Sequence, residues 1–322
     1  MKLSVLTNLF GGISLEEACQ KFEALGIEAV EIGCGGYPGK AHCDPAVLLA
    51  DEKKLDEFKA TLAKHTLELA CLSCHGNAVH PDPAVAKTFD DDFRNAVLLA
   101  EKLGIDTIVT FSGCPGGSPA DKTPNWVTCP WPDDFLAVLD YQWNEVLIPY
   151  WKKTAEFAKA HGVTKIAFEM HPGFCVYNPE TLLRLRAAVG DVIGANFDPS
   201  HLIWQGVDPV AAIRELAGAI YHFHAKDTKV DPYNKAKYGV LDTKPYGDEI
   251  HRSWIFRSVG YGNGLDYWRD IISALRLVGY DKVMSIEHED SLMTTDEGLE
   301  KAVEFLKESI IKAPKPSTMH WA

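Results

Sequence analysis

The sequence predicts an α/β fold, a single closed (β/α)8 TIM barrel over residues 1–322, on three observations. Short runs rich in β-branched and apolar residues alternate with longer runs of helical period along the whole chain. Eight strand-like runs recur, and eight units average about 40 residues each, which suits a closed parallel barrel better than an open sheet with a second domain. Two connections, about 113–135 and 228–262, are too long for a minimal unit. They follow the fourth and seventh strands, and so lie on the face where such barrels carry their chemistry.

The runs are LSVLTN at about 3–8, EAVEIG at 28–33, LELACLSC at 67–74, DTIVTFS at 106–112, TKIAFEM at 164–170, VIGANFD at 192–198, AIYHFHAK at 219–226 and KVMSIEH at 282–288. Between the first two, Leu15, Ala18, Phe22 and Leu25 recur at three- and four-residue steps, and Gly26 stops the helix. The loop after the fourth strand carries Trp126 and Trp131, which either stack on the apolar face of a sugar or pin the loop down. Cys71 and Cys74 form a CxxC on a strand, where residues three apart face opposite sides, so they read as buried thiols rather than a metal pair.

Subtracting 45 acidic from 32 basic residues leaves a net charge of −13, with no concentrated basic face. Nucleic acid is therefore an unfavourable partner. No apolar run approaches the roughly 20 residues needed to span a bilayer, and the first residues lack a secretory pattern, so a cytoplasmic protein without membrane contact is expected. Eight scattered cysteines agree with a reducing compartment.

The last four strands each end in an ionisable residue: Glu169 in AFEM, Asp198 in NFDPSH, His224 in HFHAKD and Glu287 in SIEHED. The intervals are 29, 26 and 63 residues, and removing the roughly 35-residue insertion after the seventh strand leaves about one βα unit for the last. Counting in twos puts Ala167 beneath Glu169, and Asn196 and Gly194 beneath Asp198, small residues that suit a barrel interior. Three carboxylates converging there need a countercharge that one imidazole cannot supply. A divalent cation would resolve the conflict, and an oxygen-rich set with one nitrogen favours Mn²⁺, with Mg²⁺, Co²⁺ and Zn²⁺ as alternatives.

The motifs FEMHPG, NFDPSH, HFHAKD and GYDKVMSIEHED resemble those of the xylose-isomerase-like barrels of the sugar phosphate isomerase/epimerase group over essentially the whole chain. The resemblance implies that Glu169, Asp198, His224 and Glu287 bind one catalytic metal, and that Glu169 and Glu287 flank the substrate as acid and base. It implies an isomerase or epimerase that removes a proton α to the carbonyl of a sugar or keto-sugar and passes through a metal-stabilised enediolate. The ketose 3-epimerase pattern has a second glutamate six residues after the first ligand, and this chain has Cys175 there. EMHPGFCVYNP is instead similar to branches acting on 3-keto-glycosides, so a lyase or hydratase working by β-elimination or hydration is the alternative.

His75, His171 and His201 sit beside these motifs as acid, base or sugar-binding groups, with His201 expected at the metal-bound water or substrate. His222 lies a layer deeper and reads as a satisfied core histidine. Lys226 shares the inward parity of His224 and either contacts a substrate oxygen or forms a structural ion pair. Arg257, before the glycine turn GYGNG, is the remaining substrate-binding candidate. Exposed aromatics on the long loops are compatible with a homo-oligomer.

Overall fold

The computed structural model describes residues 1–314. Its strands are β1 (Lys2–Leu6), β2 (Ala29–Gly36), β3 (Glu68–His75), β4 (Thr107–Thr110), β5 (Lys165–Glu169), β6 (Ile193–Phe197), β7 (Ile220–Ala225), β8 (Asp227–Val230), β9 (Trp254–Arg257) and β10 (Val283–Ile286). Eight of them close a barrel in the order β1, β10, β7, β6, β5, β4, β3, β2, every neighbouring pair parallel. The (β/α)8 barrel predicted from the sequence is the fold observed.

The connection after β7 differs from the expected loop. It contains an antiparallel hairpin in which Asp227 pairs with Arg257 and Val230 with Trp254. Four-residue strands such as DTKV and WIFR are too short to announce themselves by alternation. Arg257 therefore sits on a strand, one step before the turn that follows.

Helix starts explain much of the local geometry. Asp44, Asp82, Asn178, Asp198, Asp208 and Asp231 each precede a proline, and each side chain accepts a backbone N–H from the first turn of the helix it opens. Proline at the first helical position has the right φ and lacks a donor that would be unpaired there anyway. Ser14 and Glu17 form a reciprocal capping box on the first helix.

Side chains between sheet and helices form the main apolar core, which includes Phe22, Trp151, Phe168, Phe197 and Trp268. Inside the barrel the filling is smaller and more polar. Cys71, Val109 and Ala167 make a separate apolar layer under Ser73, Glu31, Asn196, His222 and Ser285, all buried. Cys71 and Cys74 thus face opposite sides of β3, Cys74 packing in the outer core. Gly194 is required by its neighbours, because a Cβ there would stand 2.4 Å from the Tyr221 ring and 2.6 Å from the Ala219 carbonyl.

Asp227 ties the hairpin to the barrel. Its Oδ2 accepts from Gly260 N (3.1 Å), Gly262 N (3.1 Å), Asn263 N (2.9 Å) and Trp268 Nε1 (3.1 Å), and its Oδ1 from Thr228 N and Asn263 Nδ2. A Cβ on Gly262 would meet Asp227 Oδ1 at 2.5 Å, so the GYGNG turn is glycine-rich to wrap this carboxylate. Asp227→Ala strands several buried donors and is expected to lower unfolding free energy by about 3 kcal/mol or more in urea titration. A loss below about 1 kcal/mol would show that water replaces the carboxylate.

Candidate active site

The strand ends bring Glu169, Asp198, His224 and Glu287 together at the C-terminal mouth. One ligand atom from each lies within 4.8 Å of all the others. Glu169, Asp198 and His224 are buried, and the Glu287 side chain is 16% exposed.

Asp198 shows how sequence places a donor. As the N-cap of the Asp-Pro helix it spends Oδ1 on Ser200 N (2.8 Å), and Oδ2 is left facing the cluster. Among the described residues, Asp198 Oδ2, His224 Nδ1 and Glu287 Oε2 are all buried without a well-directed hydrogen bond. They do lie near charged neighbours: His224 Nδ1 is 3.1 Å from Glu287 Oε2, and Lys226 Nζ is 3.1 Å from Asp198 Oδ2 and 2.8 Å from Glu287 Oε2. Contacts at such distances with poor angles give Coulombic attraction without satisfying the lone pairs. Three convergent orphaned atoms beside Glu169 fit a hard or borderline divalent cation.

Lys226 modifies the expectation drawn from charge counting. It is buried, also reaches Glu289 Oε2 at 2.9 Å, and lies 3.4 Å from His201 Nε2. The countercharge for the carboxylates is therefore supplied in part by the chain itself. Lys226 lines the cavity, but its ammonium is committed to three carboxylates.

Glu169 is the most heavily bonded member. Its Oε1 accepts from His201 Nε2 (2.9 Å), and its Oε2 accepts from His75 Nε2 (3.0 Å) and Asn196 Nδ2 (3.2 Å). Burial pushes its carboxyl up, but the imidazoles of His201, His224 and His75 beside it outweigh burial and hold it well below the usual carboxylate range. Glu287 is likewise raised by burial and brought down to about 2 by the Lys226 and His224 charges. Asp198 moves the other way, because burial together with the Glu169 and Glu287 charges outweighs Lys226 and His201. Burial lowers His201 and His171, which favours neutral imidazoles.

Above this floor opens a cavity of about 600 Å³. His75, His171, His201 and Lys226 line it. Arg257 does not: its Nε donates to Asp290 Oδ2 (2.9 Å) and its guanidinium lies over Tyr261. Trp126 packs edge-on against Tyr177, and Trp131 is exposed away from the cavity, so the first of the two pins the loop.

Two features escaped the sequence. Phe111 and Phe174 stack at 4.3 Å and, with exposed Tyr37 beside them, form an aromatic wall of the cavity. Phe256 and Tyr246, stacked at 5.8 Å and supplied by the hairpin and the loop within it, also line the cavity. The second feature is Glu31, a buried carboxylate beneath the cluster. The signal for it existed, an acid flanked by apolar residues in the strand AVEIG.

A Bacillus subtilis (strain 168) protein named YfiH, uncharacterized by its name, is 41% identical over 312 residues, covering 96% of this chain and 99% of that protein. An inosose dehydratase of Mesomycoplasma hyopneumoniae is 24% identical over 72% of this chain and 68% of its own length. The crystal structure of the IolI protein with a bound zinc atom superimposes with a TM-score of 0.64 at 18% identity, covering 96% of this chain and 98% of that one. Among the described residues no helix is long and apolar enough to cross a membrane. The family model described as xylose isomerase-like TIM barrel matches residues 19–309, and the chain belongs to that family.

Proposed function

We propose that this protein removes a proton α to the carbonyl of an uncharged sugar or keto-sugar, with a divalent cation held by Glu169, Asp198, His224 and Glu287, and that it acts as an epimerase or isomerase. The observation that carries this function is the convergence of orphaned donor atoms at the floor of a 600 Å³ cavity. Mn²⁺ is the first choice of cation, and when bound it would supply the charge that acidifies a C–H beside a carbonyl.

Glu169, held ionised, takes the proton, and Glu287, ionised at rest, returns one to the other face after it has itself taken up a proton from solvent. His201 donates to Glu169 Oε1 and so fixes which oxygen faces the substrate. His75 and His171 flank the cavity and would bind substrate hydroxyls. Around the reacting carbon stand Glu169, Glu287 and Glu289, and Lys226 is the one lysine or arginine among the described lining residues. A phosphate or carboxylate on the substrate would find no free lysine or arginine among the described lining residues. An uncharged substrate follows.

The aromatic wall favours a second reading, elimination or hydration on a 3-keto-glycoside. Tyr37, Phe111 and Phe174 offer a flat apolar face to an aglycone, and a pocket of this volume holds more than one six-membered ring. Similarity to an inosose dehydratase supports a leaving-group reaction on the same enolate.

Incubation with Mn²⁺ in deuterated water is expected to label substrate or product at the carbon beside the carbonyl, with free ketohexoses and methyl and phenyl 3-keto-glucosides as probes. Asp198→Asn should lose both the bound metal and the label. Label retained in metal-free protein would refute the proposal. An absorbing enone and released phenol would select the second reading over the first.

A further inference from the structure

Glu31, His222 and His224 form a second buried group of possible metal ligands, directly below the first and sharing His224 with it. Its hydrogen bonding sets it apart. Glu31 Oε2 accepts from His222 Nε2 (2.8 Å), Ser285 Oγ (2.6 Å) and His224 Nε2 (3.1 Å), and Oε1 accepts from Ser73 Oγ and from His224 Nε2 (3.0 Å). Neither oxygen of Glu31 is unpartnered, whereas the upper cluster has three orphaned atoms. The lower group is therefore not a second cation site.

We propose that Glu31 is the positioning residue of the metal centre, acting through His224. By accepting from Nε2–H it fixes the imidazole tautomer and ring plane, so that the Nδ1 lone pair faces Glu169 Oε2 (3.3 Å) and Glu287 Oε2 (3.1 Å). Ser73 from β3 and Ser285 from β10 hold Glu31, which itself comes from β2, while His222 and His224 come from β7. Four strands on one side of the barrel thus align a single ring nitrogen. Carboxylates that brace a ligating histidine typically change metal affinity 10- to 100-fold when removed.

This inference rests on the proposed cation at the upper cluster, and calorimetric titration of the full chain with Mn²⁺ and with Zn²⁺ separates the two. Wild type is expected to bind one ion per chain. Glu31→Gln can turn its amide NH₂ toward His224 Nε2 and favour the wrong tautomer, and is expected to bind one ion with a Kd raised about 10- to 100-fold. Ser285→Ala and Ser73→Ala keep the carboxylate, remove one brace each, and should raise Kd by a smaller factor, which covers the case of a Glu31 variant that does not fold. Unchanged affinity in a folded Glu31→Gln overturns the inference and leaves the upper site standing. Two ions in wild type falling to one in Glu31→Gln would make Glu31 a ligand and overturn it too. Absence of any bound ion in wild type removes both proposals.

Discussion

Glutamine in place of Glu169 is expected to reduce deuterium exchange into the substrate by about 10²- to 10⁴-fold, the range general-base groups contribute. The side chain keeps its volume and loses its charge. His201 and His75 both donate to the carboxylate, at 2.9 and 3.0 Å, and an amide can accept from only one of them. The other imidazole must turn to its second tautomer or break away. Metal content should be measured first at saturating Mn²⁺, because Glu169 is also a member of the cation cluster. A loaded variant that still exchanges within about threefold of wild type would move the base to Glu287.

Lys226→Met carries the largest expected effect on stability. The ammonium is buried among Asp198, Glu287 and Glu289, at 3.1, 2.8 and 2.9 Å, and among the described residues those carboxylates have no other lysine or arginine in contact. Removing one partner of a buried ion pair is destabilising by about 3–5 kcal/mol, because the other charge stays behind unpaired. Metal-free protein should therefore melt several degrees lower. Mn²⁺ would bring two positive charges to two of these carboxylates, Asp198 and Glu287, so the rise in Tm on adding it should be larger in the variant than in wild type. Equal rises in the two proteins would mean that ammonium and metal do not substitute for one another.

The donor cluster was legible because it obeys the period of the fold. Glu169, Asp198 and His224 end consecutive barrel strands, and once the hairpin is set aside Glu287 falls into the same step. What could not be read depends on closure. Glu31 and His224 are 193 residues apart and meet only because closure of the barrel leaves just β1 and β10 between β2 and β7. The Lys226 contacts need the Glu287 and Glu289 carboxylates at known positions, so parity alone left its role open between substrate and ion pair. Phe111 and Phe174 lie beyond different strands, and aromatic residues in loops carry no signal of which neighbour they will stack on. Arg257 misled for a related reason: its partner Asp290 lies 33 residues on, beyond the eighth barrel strand.

The hairpin between Asp227 and Arg257 brings Phe256 and Tyr246 to the mouth, yet contributes none of the cation donors. Its two ends meet at the Asp227 carboxylate, and the segment between them is a cassette held to the helix after β6 by Thr228 Oγ1 donating to the Ser200 carbonyl and by Trp254 stacked on Trp204. Exchanging that cassette for one of different length would redraw which molecules are admitted while the chemistry below stayed intact. Selectivity and reactivity are thereby open to separate modification, by engineering or by descent.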